Sequence, residues 1–354
     1  MRSAMVVRPG NLREKDPEKR GKLQVMDVAE MSVGEHDVKI KIAYCAICGS
    51  DPHIVENIFG RTVPYGLGHE ISGIVVELGE KATVKGLKVG DKVAGNFLRA
   101  CGACYYCQNG QPQFCTNVVD EGASPGMAQY VVWDESQVVK LPDEISLKKA
   151  CLLEPVSIGV RVSDRTELKV GQRVAIQGGG PIGLICAQMM KMKGATDLTV
   201  IEPIASRREI ALRLGADHVI DPLSCDVEKE CMRLTGGRGY DVIIEGTGVP
   251  SIASIPLKIA APDGRILYIA MYNNDFAQPI PMTDTFHNRN LTLTATKVAP
   301  YCFPRAAQLL PRMNLEEFTP IVFPLEQISE AFDAYCSNQY LKILICCNDD
   351  LADL

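Results

Sequence analysis

The short apolar run Arg173-Val-Ala-Ile-Gln177 leads directly into Gly178-Gly179-Gly180-Pro181-Ile182-Gly183, and a helical stretch follows to about Lys193. Few folds accept that order of strand, glycine turn and helix. The spacing is G-x-G-x-x-G, and the three outer glycines have separate duties. Gly178 permits a tight turn, Gly180 lets a ligand approach the backbone, and Gly183 lets helix and strand pack closely. The flanking sequence repeats the alternation, with strands expected at Leu198–Ile201, His218–Ile220, Asp241–Ile244 and Arg265–Ile269 and a helix from Ser206 to Leu214. Short apolar strands alternating with helices build βαβ units and a parallel sheet, with right-handed crossovers that cover both faces. The expected fold class is therefore α/β, with a doubly wound parallel sheet of the Rossmann type.

A helix that starts just after such a turn offers unpaired N–H groups and a positive dipole end, which suit a pyrophosphate. The partner residue for a ribose is expected some 20 residues on. Glu202 ends the next strand, 19 residues past Gly183. A carboxylate there accepts ribose hydroxyls and repels a 2′-phosphate, so NAD(H) is expected over NADP(H). Arg207 and Arg208 point the other way, because a guanidinium can hold that phosphate; as residues at a helix start they read as solvated instead.

Before residue 150 the rhythm differs. Val38–Ile42, Ile71–Leu78, Lys92–Ala94 and Tyr130–Trp133 alternate with Gly- and Pro-bearing turns, a β-rich pattern. The charged stretch 11–22 reads as a solvated loop. The last part of the chain is expected to hold helices at Arg305–Met313 and Leu325–Ser337 and a strand at Leu341–Ile345.

Composition excludes several classes of partner. With 37 basic and 43 acidic side chains, the net charge is -6, which disfavours nucleic acid and anionic membrane. No apolar run reaches the ~20 residues of a membrane span. The N-terminal segment shows no apolar signal core, so a cytoplasmic protein is expected. Fourteen cysteines in such a chain point to metal or catalysis before disulfides.

Two groups of residues answer that expectation. Cys101, Cys104, Cys107 and Cys115 follow C-x2-C-x2-C-x7-C, and four thiolates so spaced can close a tetrahedron around a structural zinc. A ferredoxin-type cluster begins similarly but continues with three residues, a cysteine and a proline, which this chain lacks. The second group is scattered: Cys48-Gly-Ser50-Asp51-Pro-His53, Gly68-His69-Glu70, and Glu154 between Leu153 and Pro155. Cysteine, histidine and carboxylate suit a zinc site, which is catalytic when it keeps an exchangeable position. A glutamate set among apolar residues needs a partner.

The residues Cys48–Asp51, Gly68–Glu70, the four-cysteine lobe, Leu153–Ser157 and the Gly178 turn occur in an order that resembles the zinc-containing medium-chain alcohol dehydrogenases. The pattern is nearest the sorbitol (polyol) branch and extends over essentially the whole chain. The resemblance implies a β-rich GroES-like catalytic domain over 1–157, with the zinc lobe at about 96–118. A Rossmann domain over 158–296 and a C-terminal return to the catalytic domain over 297–354 complete it. It further implies two zinc ions per chain, NAD(H), a small alcohol or ketone as substrate, and a homo-oligomer, a tetramer. By position, Cys48 and His69 resemble catalytic zinc ligands. Glu70 and Glu154 resemble the remaining carboxylates, one direct and the other direct or through water. Asp51 resembles the carboxylate that orients the histidine, Ser50 the hydroxyl that takes the substrate proton, and His53 the outlet to solvent. Thr247 within Gly246–Gly248, and Ile269 to Met271, would line the nicotinamide; many relatives have Gly where Ala270 stands.

Two departures bear on substrate. An aromatic residue usually follows the relay histidine in polyol dehydrogenases, whereas Ile54 and Val55 follow His53. A basic residue near Tyr301 is replaced by Pro300. Both favour a secondary alcohol more apolar than sorbitol, such as a hydroxysteroid, with a polyol as the alternative. The absence of histidine in 96–100 lowers a threonine dehydrogenase reading. A non-catalytic dinucleotide sensor is the remote alternative, and the joint presence of the seven polar site residues speaks against it. The nine remaining cysteines are expected to be packing thiols.

Overall fold

The computed structural model describes residues 1–118, 125–273 and 275–352. The chain forms two compact units, Met1–Glu154 with Phe303–Leu354, and Pro155–Cys302. The expected divisions after 157 and 296 are displaced. The first division falls inside the continuous helix Leu153–Thr166, because Glu154 belongs to one unit while the next turn already belongs to the other.

The first unit is β-rich. Its larger sheet runs Ile321–Pro324, Ile343–Cys346, Asp37–Ala46, Glu70–Leu78, Lys92–Gly95 and Val138–Lys140, with Tyr130–Asp134 also paired to Asp37–Ala46. A three-stranded sheet joins Lys22–Asp27, Arg2–Arg8 and Tyr65–Gly66. Alternation in Asp37–Ala46 places Val38, Ile40 and Ile42 in a core with Val75, Val93, Trp133, Phe332 and Ile345. Fully burying such side chains contributes about 1.5–3 kcal/mol each. The C-terminal strand starts at Ile343, so Lys342 precedes it. The helix expected from Arg305 ends at Leu309 and gives way to a 3₁₀ turn at Leu310–Arg312. Pro311 supplies no N–H to continue it. The loop 11–22 is anchored as well as solvated, since Arg20 pairs with Asp333 and Leu12 is buried.

The second unit is a six-stranded parallel sheet in the order His218–Ile220, Asp197–Ile201, Arg173–Gln177, Tyr240–Glu245, Ala260–Tyr268, Thr292–Ala295. Helices Pro181–Met192 and Ala205–Arg213 connect its first three strands in sequence. The order reverses between Arg173–Gln177 and Tyr240–Glu245, so the crevice for a ligand lies beyond the C-terminal ends of those two strands. Ala175, Ile201, Tyr240, Ile243 and Ile266 belong to the core. The Tyr240 hydroxyl donates to Thr199 Oγ1 at 2.8 Å, so its one polar atom is satisfied in the interior.

Candidate active site and metal centres

The four-cysteine lobe is assembled from near neighbours in sequence. The ligand atoms of Cys101, Cys104, Cys107 and Cys115 all lie within 4.8 Å of one another. Cys104 Sγ stands 3.5 Å from Cys107 Sγ and 3.9 Å from Cys115 Sγ. A tetrahedron with Zn–S bonds of about 2.3 Å has edges of about 3.8 Å, so the sulfurs already stand at the spacing the ion requires. Backbone N–H groups prepare Cys101 and Cys104 for charge. Cys104 N donates to Cys101 Sγ at 3.3 Å, and Cys101 N to Cys115 Sγ at 3.4 Å. Backbone N–H groups of Cys107 and Thr116 pull the Cys104 thiol down to about 6. Thiolates are the form that binds metal.

The second cluster is partly buried, with Glu70 fully so, and drawn from distant segments. The ligand atoms of Cys48, His69 and Glu70 fall within 4.8 Å of one another. Cys48 precedes the short helix Asp51–Val55, and its N–H donates to Asp51 Oδ2 at 2.7 Å. Gly68 turns the chain with φ +96, and a side chain there would press on Cys45 Sγ and Met127. That turn places His69 beside Cys48 and starts the strand Glu70–Leu78. The other oxygen of fully buried Asp51, Oδ1, has no hydrogen-bond partner and stands 3.7 Å from His69 Nδ1. An orphan carboxylate oxygen aimed at an imidazole is what a metal-bound histidine uses for orientation. Burial raises Asp51 to about 6 and Glu154 to about 7, with His69 opposing both. Burial alone would lower His69, but Cys48, Asp51 and Glu154 together hold it well above its usual value. The donor set is thus one that a divalent cation would relieve of repulsion.

One partner escaped the sequence reading. Lys342 Nζ donates to Glu70 Oε1 at 2.5 Å, to Glu70 Oε2 at 2.6 Å and to the Ile47 carbonyl at 3.1 Å, and both side chains are buried. Its signal was a single lysine within an apolar strand pattern, where a charge requires a counter-ion. Phe97 also packs on the His69 ring, with centroids 4.9 Å apart. Glu154 lies in the first turn of its helix and is buried, but outside the 4.8 Å cluster. Ser50 stands at the N-cap position of the helix Asp51–Val55 without a side-chain capping hydrogen bond, and His53 is half exposed with Nδ1 3.5 Å from Glu56. Val55 is buried in the core of the first unit, whereas Ile54 packs against that core and stays partly exposed.

In the second unit the glycine turn leaves its backbone open. Gly178 has φ +108, and a Cβ on Gly183 would overlap the Gly178 carbonyl oxygen. Gly180 opens the helix Pro181–Met192 and faces free space, where a side chain would only obstruct a ligand. Glu202 is buried, accepting from Gly179 N at 2.7 Å and from Ile204 N at 2.9 Å. Arg208 is committed to the carbonyls of Glu202 and Pro203 and to Asp221 at 3.1 Å. Arg207 is half-buried and has a partner of its own. Thr247 abuts the Gly178 turn, while the strand before Ile269 ends at Tyr268 and Met271 is exposed. Of the nine other cysteines, seven are buried; Cys336 is half-buried and Cys225 exposed, so Cys225 is not a packing thiol.

A β-rich unit with a four-cysteine lobe and a Cys–His–Glu cluster, together with a doubly wound unit with a glycine cradle, defines a metal-binding dehydrogenase. Residues 34–143 match the alcohol dehydrogenase GroES-like domain and residues 181–312 the zinc-binding dehydrogenase family. The chain belongs to the zinc-containing medium-chain alcohol dehydrogenases and is an oxidoreductase acting on alcohol groups. It is 35% identical over 320 residues to 2-dehydro-3-deoxy-L-galactonate 5-dehydrogenase of Pseudoalteromonas atlantica, covering 88% of this chain and 92% of that one. It is 30% identical over 325 residues to D-arabinitol dehydrogenase 1 of Uromyces fabae, covering 90% and 92%. A putative zinc-binding dehydrogenase from Sinorhizobium meliloti bound to NADP superposes with a TM-score of 0.88 at 27% identity, over 97% and 99% of the two chains. Among the described residues, no helix is long and apolar enough to cross a membrane.

Proposed function

We propose that this enzyme interconverts a secondary alcohol and its ketone with NAD(H), at a zinc held by Cys48, His69 and a carboxylate, Glu70 or Glu154. The observation that carries this reading is the Cys48–His69–Glu70 cluster beside the orphan oxygen of Asp51. A zinc ion there would supply Lewis acidity that lowers the pKa of the alcohol, and the dinucleotide would supply the hydride acceptor. The chain's own residues do the rest. Asp51 fixes the His69 imidazole, Ser50 receives the hydroxyl proton, and half-exposed His53 delivers it to solvent. The four-cysteine lobe holds a second, structural zinc. Metal content tests this directly, with two zinc ions per chain expected; none would remove the reading.

Gly178, Gly180, Pro181, Ile182 and Gly183 cradle the pyrophosphate, Glu202 takes the ribose, and Thr247, Ile269 and Met271 border the nicotinamide. The commitment of Arg208 to backbone and Asp221 favours NAD(H), although an NADP-bound relative shares the fold. Kinetics with both coenzymes decide it, and a preference for NADP(H) would overturn the assignment. For substrate, the hydroxyl-rich compounds named for the relatives favour a polyol or sugar acid. The second reading, a more apolar secondary alcohol, rests on partly exposed Ile54 after His53 and on Pro300 where a basic residue is expected beside Tyr301. Turnover across polyols, sugar acids and apolar secondary alcohols separates the two. We further propose a cytoplasmic tetramer, which mass measurement in solution tests.

A further inference from the structure

The crevice of the second unit contains a buried carboxylate that neither zinc chemistry nor ribose binding uses. Glu245 is the last residue of the strand Tyr240–Glu245, next to the switch point of the sheet, and it is fully buried. Three donors converge on it. Thr247 N donates to Oε1 at 2.8 Å, the Thr247 hydroxyl donates to the same oxygen, and the Tyr272 phenol donates to Oε2 at 2.5 Å. A buried carboxylate is tolerated only when so satisfied. The three donors sit on two different segments, the turn 246–248 and the turn after the strand Ala260–Tyr268.

Those segments run in backbone contact. Gly248 has φ +66, and a Cβ there would lie 2.5 Å from the Met271 carbonyl oxygen. Thr247 in turn reaches the glycine cradle, since a Cβ on Gly178 would lie 3.0 Å from Thr247 Cγ2. On the far side the Tyr272 ring stacks on Phe276 with centroids 5.2 Å apart. A continuous chain of contacts therefore runs from the phosphate turn through Thr247 and Glu245 to Tyr272 and Phe276. The one side-chain hydrogen bond described between the 246–248 turn's carboxylate anchor and the second segment is the phenol of Tyr272.

We infer that Glu245 and Tyr272 form a latch that holds the two segments bordering the nicotinamide end of the dinucleotide, with Tyr272 a positioning residue for coenzyme residence and not for the chemistry. This rests on the dinucleotide reading above. The latch preorganises Thr247 and Met271, so ordering them is not charged against coenzyme binding. Its loss weakens binding of the coenzyme without touching the alcohol or the zinc ligands, which lie in the other unit.

The test uses the zinc-loaded enzyme and NADH and NADPH as probes, followed by nucleotide fluorescence. Tyr272→Phe keeps the stacked ring and removes the donor. The expected result is a roughly tenfold rise in the Kd of the bound coenzyme and a matching rise in its KM, as for loss of a hydrogen bond to a charged group. The KM for the alcohol stays within twofold and kcat does not fall. Glu245→Gln can still accept from Thr247 and donate to the Tyr272 oxygen, so its Kd stays within about threefold. Glu245→Ala cannot, and matches or exceeds the loss in Tyr272→Phe. Wild-type coenzyme affinity in Tyr272→Phe, whatever its melting temperature, overturns the latch. Failure of the wild-type protein to bind either nucleotide removes the dinucleotide reading and the latch with it.

Discussion

The two sulfur-bearing clusters reach the same ligand chemistry by opposite routes. The lobe of Cys101, Cys104, Cys107 and Cys115 is local: its residues are only partly buried, its sulfurs are set by short turns, and backbone N–H groups lower the thiol pKa values of Cys101 and Cys104. The cluster of Cys48, His69 and Glu70 is assembled from a helix start, a glycine turn and a strand start, and its charge is balanced by Lys342 from the far end of the chain. Local geometry suffices where the ion has only to staple a loop. A reacting site needs burial, and burial makes every charge dependent on a partner.

The sharpest break between them is in activity. Cys48→Ser or His69→Ala should lower kcat/KM by roughly 10³-fold or more, since a Lewis-acid ion supplies several kcal/mol of charge stabilisation. NADH affinity should remain within about twofold, and substantial turnover in either variant would remove the catalytic role from this cluster. Cys104→Ser should instead lower the zinc content from two to one per chain and expose 96–118 to protease, while the remaining ion stays with Cys48. Equal loss of both ions would show that the sites are not independent.

Next in size is the charge balance. Lys342→Met leaves a buried, unpaired Glu70 carboxylate, at a cost of about 3–5 kcal/mol in denaturant unfolding. The double substitution Lys342→Met with Glu70→Gln should recover most of that loss, because both charges go together. A double variant as unstable as the single one would mean that Lys342 acts by packing alone. No corresponding pair exists for the cysteine lobe among its described contacts, where a neighbouring surface charge contributes about 0–1 kcal/mol.

Much of this architecture was legible in the residues. The βαβ rhythm and the glycine spacing placed the parallel sheet and the cradle, because both depend on local periodicity and on φ values only glycine adopts freely. Most strand edges moved by a residue or two, but Asp37–Ala46 runs four residues past Ile42 and Ala260–Tyr268 starts five before Arg265, and the helix from Arg305 stopped early at a proline. Other features resisted. Val55 looked like part of a substrate wall and packs in the core instead, because apolar character does not say which apolar surface a side chain meets. Cys225 looked like one more packing thiol and is exposed.

By itself, the sequence determined the class of fold, the four-cysteine lobe and the candidate residues for a metal and a dinucleotide. All of these rest on short spacings and intrinsic donor chemistry. Only the tertiary structure decided which charges neutralise which. Lys342 sits on Glu70, Arg208 is committed to backbone and Asp221, and Tyr272 closes on Glu245. Such pairs join residues distant in the chain, and a buried ionic group selects its partner by proximity after folding, which no local pattern encodes.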